Sequence, residues 1–330
     1  MPLSRRRFAA IFPATGLALV GSRSLDLIPD DPEATITLLM AGDVMLDNLP
    51  GETVAKGEDP FRHFADVLEG SDVTVGNLEC AVATTGEQVD KSWNFRAHPR
   101  VLPLLKKYFD AVSLANNHSG DYGPDALKET IERLDRVNVP HFGAGRDLAE
   151  AHRPFVFERK GIKVALLGYD EFRPKAFEAK PDAPGVAWSH GVDYEARVLK
   201  DIRDARSESK ADLVIPFMHW GREESPANDR QKTFARRMID AGADVVVGGH
   251  PHVTQGVDSY NGKLIVYSLG NFVFDDYEGR AGWLLRLTLS KRGVERWETF
   301  VATTDISGTP HPTPATDSPR GRAVNGKITT

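Results

Sequence analysis

The apolar run Asp244-Val245-Val246-Val247 ends in Gly248-Gly249-His250-Pro251-His252, which sets two imidazoles one residue apart at the carboxyl end of a strand. Open α/β sheets present their ligands beyond the carboxyl ends of strands, and imidazole is the commonest protein ligand for a metal. Four more polar clusters follow apolar runs in the same way: Gly42-Asp43, Gly76-Asn77-Leu78-Glu79, Ala115-Asn116-Asn117-His118 and Met218-His219-Trp220-Gly221. One such cluster is an accident of composition. Five of them require a fold that brings several strand ends to one pole.

The pattern between the clusters supplies such a fold. Strands are expected at 35–40, 71–75, 110–114, 213–217 and 263–267, and helices at 60–69, 99–108, 125–137, 192–205 and 231–241. In the third helix Ala126, Leu127, Ile131 and Leu134 share one face, and Gly242 stands where a helix C-cap is wanted. Alternating strands and helices argue for an α/β architecture. Two hairpins, at 155–168 around Lys160-Gly161 and at 284–301, add antiparallel pairs. The clusters run from Asp43 to His252, so a division into two domains would cut through them, and one domain over 35–302 is expected.

The ends of the chain read differently. Ser4-Arg5-Arg6-Arg7-Phe8 precedes a largely uncharged stretch to Val20, too short to cross a hydrocarbon core of about 30 Å. Residues 1–24 resemble a twin-arginine export signal, 25–34 an acidic linker, and 303–330 a loosely ordered Thr/Pro-rich tail. No small-residue cleavage motif is evident, so the expectation is an exported protein of the periplasm or cell envelope, with the uncleaved segment available as a tether. The formal net charge of −6 becomes −9 without the three arginines, which argues against a nucleic-acid partner. Cys80 is the only cysteine, so an internal disulfide and a thiolate zinc cluster are both excluded.

The donors that remain are carboxylate, amide oxygen and imidazole, a set suited to Mn, Fe or Zn. Two ions about 3.5–4 Å apart can clamp both oxygens of a phosphoryl transfer and lower the pKa of a bound water. Each residue also has a plainer use. Asp43 could cap the next segment, Asn117 could form a turn, His219 could be a core histidine bonded to a carbonyl, and Glu79 could pair with Arg96. Independent structural uses would not all fall at strand ends in this spacing.

Taken together, Gly42-Asp43-Val44-Met45-Leu46, Gly76-Asn77-Leu78-Glu79, Ala115-Asn116-Asn117-His118 with Asp121 and Gly123, His219-Trp220-Gly221, Gly249-His250-Pro251-His252-Val253 and Tyr267-Ser268-Leu269-Gly270-Asn271-Phe272 resemble the successive signatures of the CapA family. These are poly-γ-glutamate capsule synthesis proteins, a branch of the calcineurin-like metallophosphoesterases. The resemblance implies a four-layer α/β/β/α sandwich with one or two divalent ions at one edge. It implies Asp43 on one ion, Glu79 as the bridging carboxylate, and Asn117, His219 and His250 on the second ion. His252 would return to the first, and His118 would face substrate as general acid or hydrogen-bond donor. Asp121 and Asn271 would orient these groups. The sequence departs from the wider pattern at Met45, where the superfamily has a histidine, and at Glu224, where an aromatic is usual. Two functions are open at this point. One is an exported metal-dependent hydrolase or transferase acting on a phosphoester, amide or ester. The other is a non-catalytic subunit of a membrane-associated capsule synthase, binding the carboxylates of an anionic polymer through a metal.

Overall fold

In the computed structural model the described residues are 34–172, 174–275, 280–313, 318–324 and 327–329. The expected export signal and the linker up to residue 33 lie outside them. Two sheets stack face to face with helices on both outer faces, which is the expected four-layer sandwich. The first sheet has ten strands among the described residues. Its parallel half runs through Ile36–Val44, Val73–Leu78, Ala111–Ser113 and His141–Phe142. Its antiparallel half is the long hairpin Ala281–Ser290 and Gly293–Thr304, joined to Ile36–Val44. The second sheet aligns Ile162–Asp170, Leu213–His219, Val245–Gly249 and Lys263–Val266 in parallel, with Phe155–Arg159 and Val257–Tyr260 antiparallel at its edges.

The period of two along each strand explains the layering, because successive side chains leave opposite faces. Ile36, Leu38 and Met40 enter the core between the sheets, where they meet Val164, Leu166, Ile215, Val245 and Val247. Leu39 and Ala41 point the other way, toward Leu105, Leu127, Ile131 and Leu134 of the helices. In the second sheet Ala165, Leu167 and Tyr169 pack on Val198 and Ile202 of the helix Val192–Ser207 and on Phe234 and Met238 of the helix Asp229–Asp240. Strands apolar on both faces are what a sheet covered on both sides requires. Asn228 and Gln231 form a reciprocal capping box on the second of these helices. The short helix Asn48–Ala55 is absent from the sequence reading.

Two features differ from expectation. The strand expected at 263–267 ends at Val266. The chain then leaves the second sheet and enters the first as Asn271–Val273, parallel to the end of Ile36–Val44 with Asn271 opposite Asp43. Gly42 makes this crossing possible, since a Cβ there would stand 2.0 Å from Gly270 O. The stretch after residue 303 is also not the loose tail that its Thr/Pro content suggested. Pro310–Pro312 and Arg320–Val324 both pair with Gly293–Thr304, and Lys327–Ile328 extends the sheet further. Ile328 is buried in the core between the sheets, and the Trp297 indole donates to Thr329 O at 3.0 Å. Composition misleads here because a few apolar anchors are enough to hold an otherwise polar strand.

Ile328→Ala should therefore cost about 2 kcal/mol and lower Tm by several degrees in thermal unfolding. A loose tail would leave Tm unchanged.

Candidate metal centre

The strand ends converge. Asp43 comes from Ile36–Val44, Glu79 follows Val73–Leu78, and Asn116, Asn117 and His118 follow Ala111–Ser113, all in the first sheet. His219 ends Leu213–His219, and His250 and His252 follow Val245–Gly249, in the second. The acid and amide groups thus come from one sheet, and three imidazoles come from the other. Asp43, Glu79, Asn117, His118, His219 and His250 are buried, and His252 is half-buried.

Glu79 occupies the middle. With His219 and His250 it offers one set of donor atoms lying within 4.8 Å of one another, and with Asp43 and His252 it offers a second. Its Oε1 is 3.4 Å from His219 Nε2 and 3.9 Å from His118 Nε2. His219 Nε2 is 2.7 Å from Asn117 Oδ1 and 3.2 Å from His250 Nδ1. Both Glu79 oxygens and His250 Nε2 are buried without a hydrogen-bond partner among the described residues. Burial, and then the charge of Asp43, push the Glu79 carboxyl well above its ordinary pKa. Burial raises Asp43 as well and lowers His219 and His250 well below the imidazole range. A buried carboxylate is stable only when paired or coordinating a metal. Orphaned oxygens facing deprotonated imidazoles therefore fit divalent cations, which would be held by Asp43, Glu79, Asn117, His219, His250 and His252.

Neighbouring groups fix these side chains. Asn77 Nδ2 donates to Asp43 Oδ1 at 2.8 Å and lies 3.3 Å from His219 Nδ1, while Asn116 Nδ2 donates to Asn77 Oδ1 and to Leu78 O. His250 N donates to Asp43 Oδ2 at 3.1 Å. That approach needs Gly249, whose Cβ would meet Asp43 Oδ1 at 2.7 Å. His250 and His252 are both left-handed, at φ 93° and 58°, a conformation costly outside glycine that concentrates at functional sites. Asn271 Oδ1 lies 2.8 Å from His252 Nδ1. Phe172, Phe95 and Phe274 lie against His250, His118 and His252, with ring centroids 3.9, 4.4 and 4.8 Å apart.

His118 is held by an acid. Its Nδ1 is 2.6 Å from Asp121 Oδ2, and Asp121 also accepts from Phe95 N and from Lys91 Nζ, the latter at 2.6 Å. Lys91 Nζ donates to Asn117 O as well and lies 3.3 Å from His118 Nδ1. Burial takes the His118 pKa down to about 4, so the ring is neutral near pH 7.

Asn117 does lie in a turn, as its plainer use required, but the pairing of Glu79 with Arg96 is absent. Arg96 stacks on Tyr122 and donates to Thr85 O and Gly86 O, leaving Glu79 without the arginine that could have paired with it. Trp220 is a core residue whose indole donates to Tyr267 O at 2.8 Å. Cys80 is buried with its thiol pushed up to about 12, which makes it inert. The sequence reading gave no role to Asn77 or Asn116, and it missed Lys91 and Asp170. Nothing in the pattern marks Lys91, since it sits in a polar loop. Asp170 carries the usual signal, an acid closing an apolar strand. It is buried opposite His219 in the register, with Oδ2 unpartnered among the described residues.

Replacing Glu79 by glutamine removes a charge that is costly to bury and also removes a shared donor. Metal-free Glu79→Gln should melt at or above the wild-type temperature, whereas the rise in Tm that the wild type shows with added Mn²⁺ or Zn²⁺ should disappear. A lower metal-free Tm with the rise intact would contradict this account.

Comparison with known proteins shows the family and the fold. Residues 37–276 match the family described as bacterial capsule synthesis protein PGA_cap. The PGA biosynthesis protein CapA of Bacillus subtilis is 35% identical over 78% of this chain, and the capsule biosynthesis protein CapA of Bacillus anthracis is 35% identical over 75%. A probable polyglutamine synthesis accessory protein of Mycobacterium tuberculosis is 35% identical over 68%. The matched regions cover 68%, 61% and 61% of those relatives' own lengths. Among solved structures, a phosphatase from Mycoplasma pneumoniae superposes with a TM-score of 0.53 at 12% identity, over 82% of this chain and 95% of that one. A hypothetical protein from Thermus thermophilus does so with a TM-score of 0.51 at 17% identity, over 81% and 99%. The chain belongs to the bacterial capsule synthesis (PGA_cap) family and has the metallophosphoesterase-type α/β sandwich.

Proposed function

We propose that this protein is a metal-dependent hydrolase or transferase that acts at the cell envelope in the handling of poly-γ-glutamate or a phosphoester related to its synthesis. The observation that carries this reading is the buried Glu79 carboxylate, unpartnered between two sets of metal donors and facing His118. When bound, one or two ions of Mn, Fe or Zn would polarise a phosphoryl or carbonyl oxygen and acidify a water.

The chain's own residues supply the proton handling. Asp121 accepts the Nδ1 proton of His118 while held by Lys91 and Phe95 N, which leaves the Nε2 lone pair directed toward the centre. His118 accepts a proton at Nε2 from the attacking group and returns it to the leaving group, with Asp121 steadying the imidazolium in between. The ring of Phe95 against His118 keeps water from that face.

Location and partners belong to the same proposal. The paired arginines Arg5 and Arg6 suit export of a chain already folded around its ions, and the named roles of the Bacillus relatives suit work beside a capsule synthase in the membrane. Among the described residues no helix is long and apolar enough to cross a membrane. A second reading is favoured by the accessory role in the name of the Mycobacterium relative. In that reading the same centre binds polymer carboxylates through the ion without turnover.

His252→Ala should lose most of the metal measured by elemental analysis while its circular dichroism is unchanged. His118→Asn should keep its metal and lose about a hundredfold or more in turnover across a panel of phosphoesters and γ-glutamyl amides. Metal-dependent polymer binding with no turnover in the wild type would select the accessory reading. A wild type without bound metal would defeat both.

A further inference from the structure

The set Asp43, Glu79 and His252 offers only three donors. Zinc takes four ligands in structural sites, and catalytic sites hold three from the protein with one position left for water or substrate. In this set one of the three, Glu79, is shared with the other ion. Met45 gives nothing back, because it is buried in the apolar core on the helix side and its Sδ accepts from Asp47 N at 3.1 Å. The first ion therefore has two protein donors of its own, Asp43 and His252, besides the shared Glu79.

Glu223 stands at the solvent edge of the centre, beside His252 and His250. Its carboxylate, one atom of His250 and one of His252 form a third set of donors within 4.8 Å of one another. The backbone around it is tied to the histidine loop on both sides. Trp220 N donates to Gly249 O at 3.2 Å, Glu224 N to Pro251 O at 2.9 Å, and Gln255 Nε2 to Ser225 O at 2.7 Å. The two consecutive acids also differ. Glu224 is paired with Arg280 at 2.6 Å, whereas Glu223 has no cationic partner among the described residues. A second observation concerns His250, a member of the same set. His250 Nδ1 is turned toward His219, yet its Nε2 is fully buried and lacks a partner among the described residues.

We propose that Glu223 is a further ligand of the metal centre, closing its solvent side and supplying the first ion with the donor that Met45 does not provide. This rests on the metal-dependent reading above and deepens it. An exposed carboxylate loses little solvation when it binds, and it is free to leave. Glu223 would thus be the ligand that admits the ion and the one an incoming anionic substrate displaces, whereas the buried donors stay fixed.

The test uses the full chain stripped of metal with a chelator and titrated with Mn²⁺ alone, following free Mn²⁺ by electron paramagnetic resonance. Glu223→Gln should raise the dissociation constant of at least one bound ion about ten-fold or more. Its metal-free Tm should equal that of the wild type, because the side chain is exposed. Glu224→Gln should titrate like the wild type. Unchanged constants in Glu223→Gln, with binding abolished in Glu79→Gln, would overturn the role of Glu223 and leave the centre standing. A wild type that takes up no Mn²⁺ would overturn both.

Discussion

A buried carboxylate, Glu79, with no hydrogen-bond partner among the described residues sits at the centre of this site. Burying Glu79 among imidazoles, with neither oxygen bonded among the described residues, is unfavourable for the isolated chain. A divalent cation would complete such a group. The features around it follow from that need. The glycines at 42 and 249 let backbones approach, the left-handed histidines aim their rings, and the asparagines at 77 and 116 bond to Asp43 and to each other.

The surroundings also show how the site stays ordered before any ion arrives. Three phenylalanine rings lie against three imidazoles, so these histidines are confined by packing as well as by hydrogen bonds. Apolar neighbours also favour neutral imidazole, the form that binds a metal. Preorganisation of this kind reduces the ordering cost at the moment of binding.

Much of the centre was legible in the sequence because strand-end placement leaves a local mark, an apolar run followed by glycine and a donor. Asp43, Glu79, His250 and His252 carry that mark in full, Asn117 and His219 carry it without the preceding glycine, and the structure brings all six together. Asp170 carries it too and was passed over, since a single acid after a strand is usually only a cap or a solvated end. Lys91 was beyond reach, because its role depends on a loop folding back over residues 117–121 and no local pattern encodes that return. The crossing from Val266 to Asn271 was hidden for a similar reason. Two strands in one continuous apolar stretch look the same whether they share a sheet or divide between two. The strands after residue 303 were masked by composition, since threonine and proline dominate, and buried Thr309 and Pro310 look in sequence like loop residues.

The split origin of the donors has a mechanical consequence. Acids and amides rise from one sheet and imidazoles from the other, so a seated cation is a rivet through both leaves of the sandwich at this pole. Its binding energy adds to the docking of the leaves. At the opposite pole the fit of Ile328 and Trp297 provides closure without metal. Chelation would accordingly remove one tie at the metal pole, while the apolar core between the leaves keeps them together.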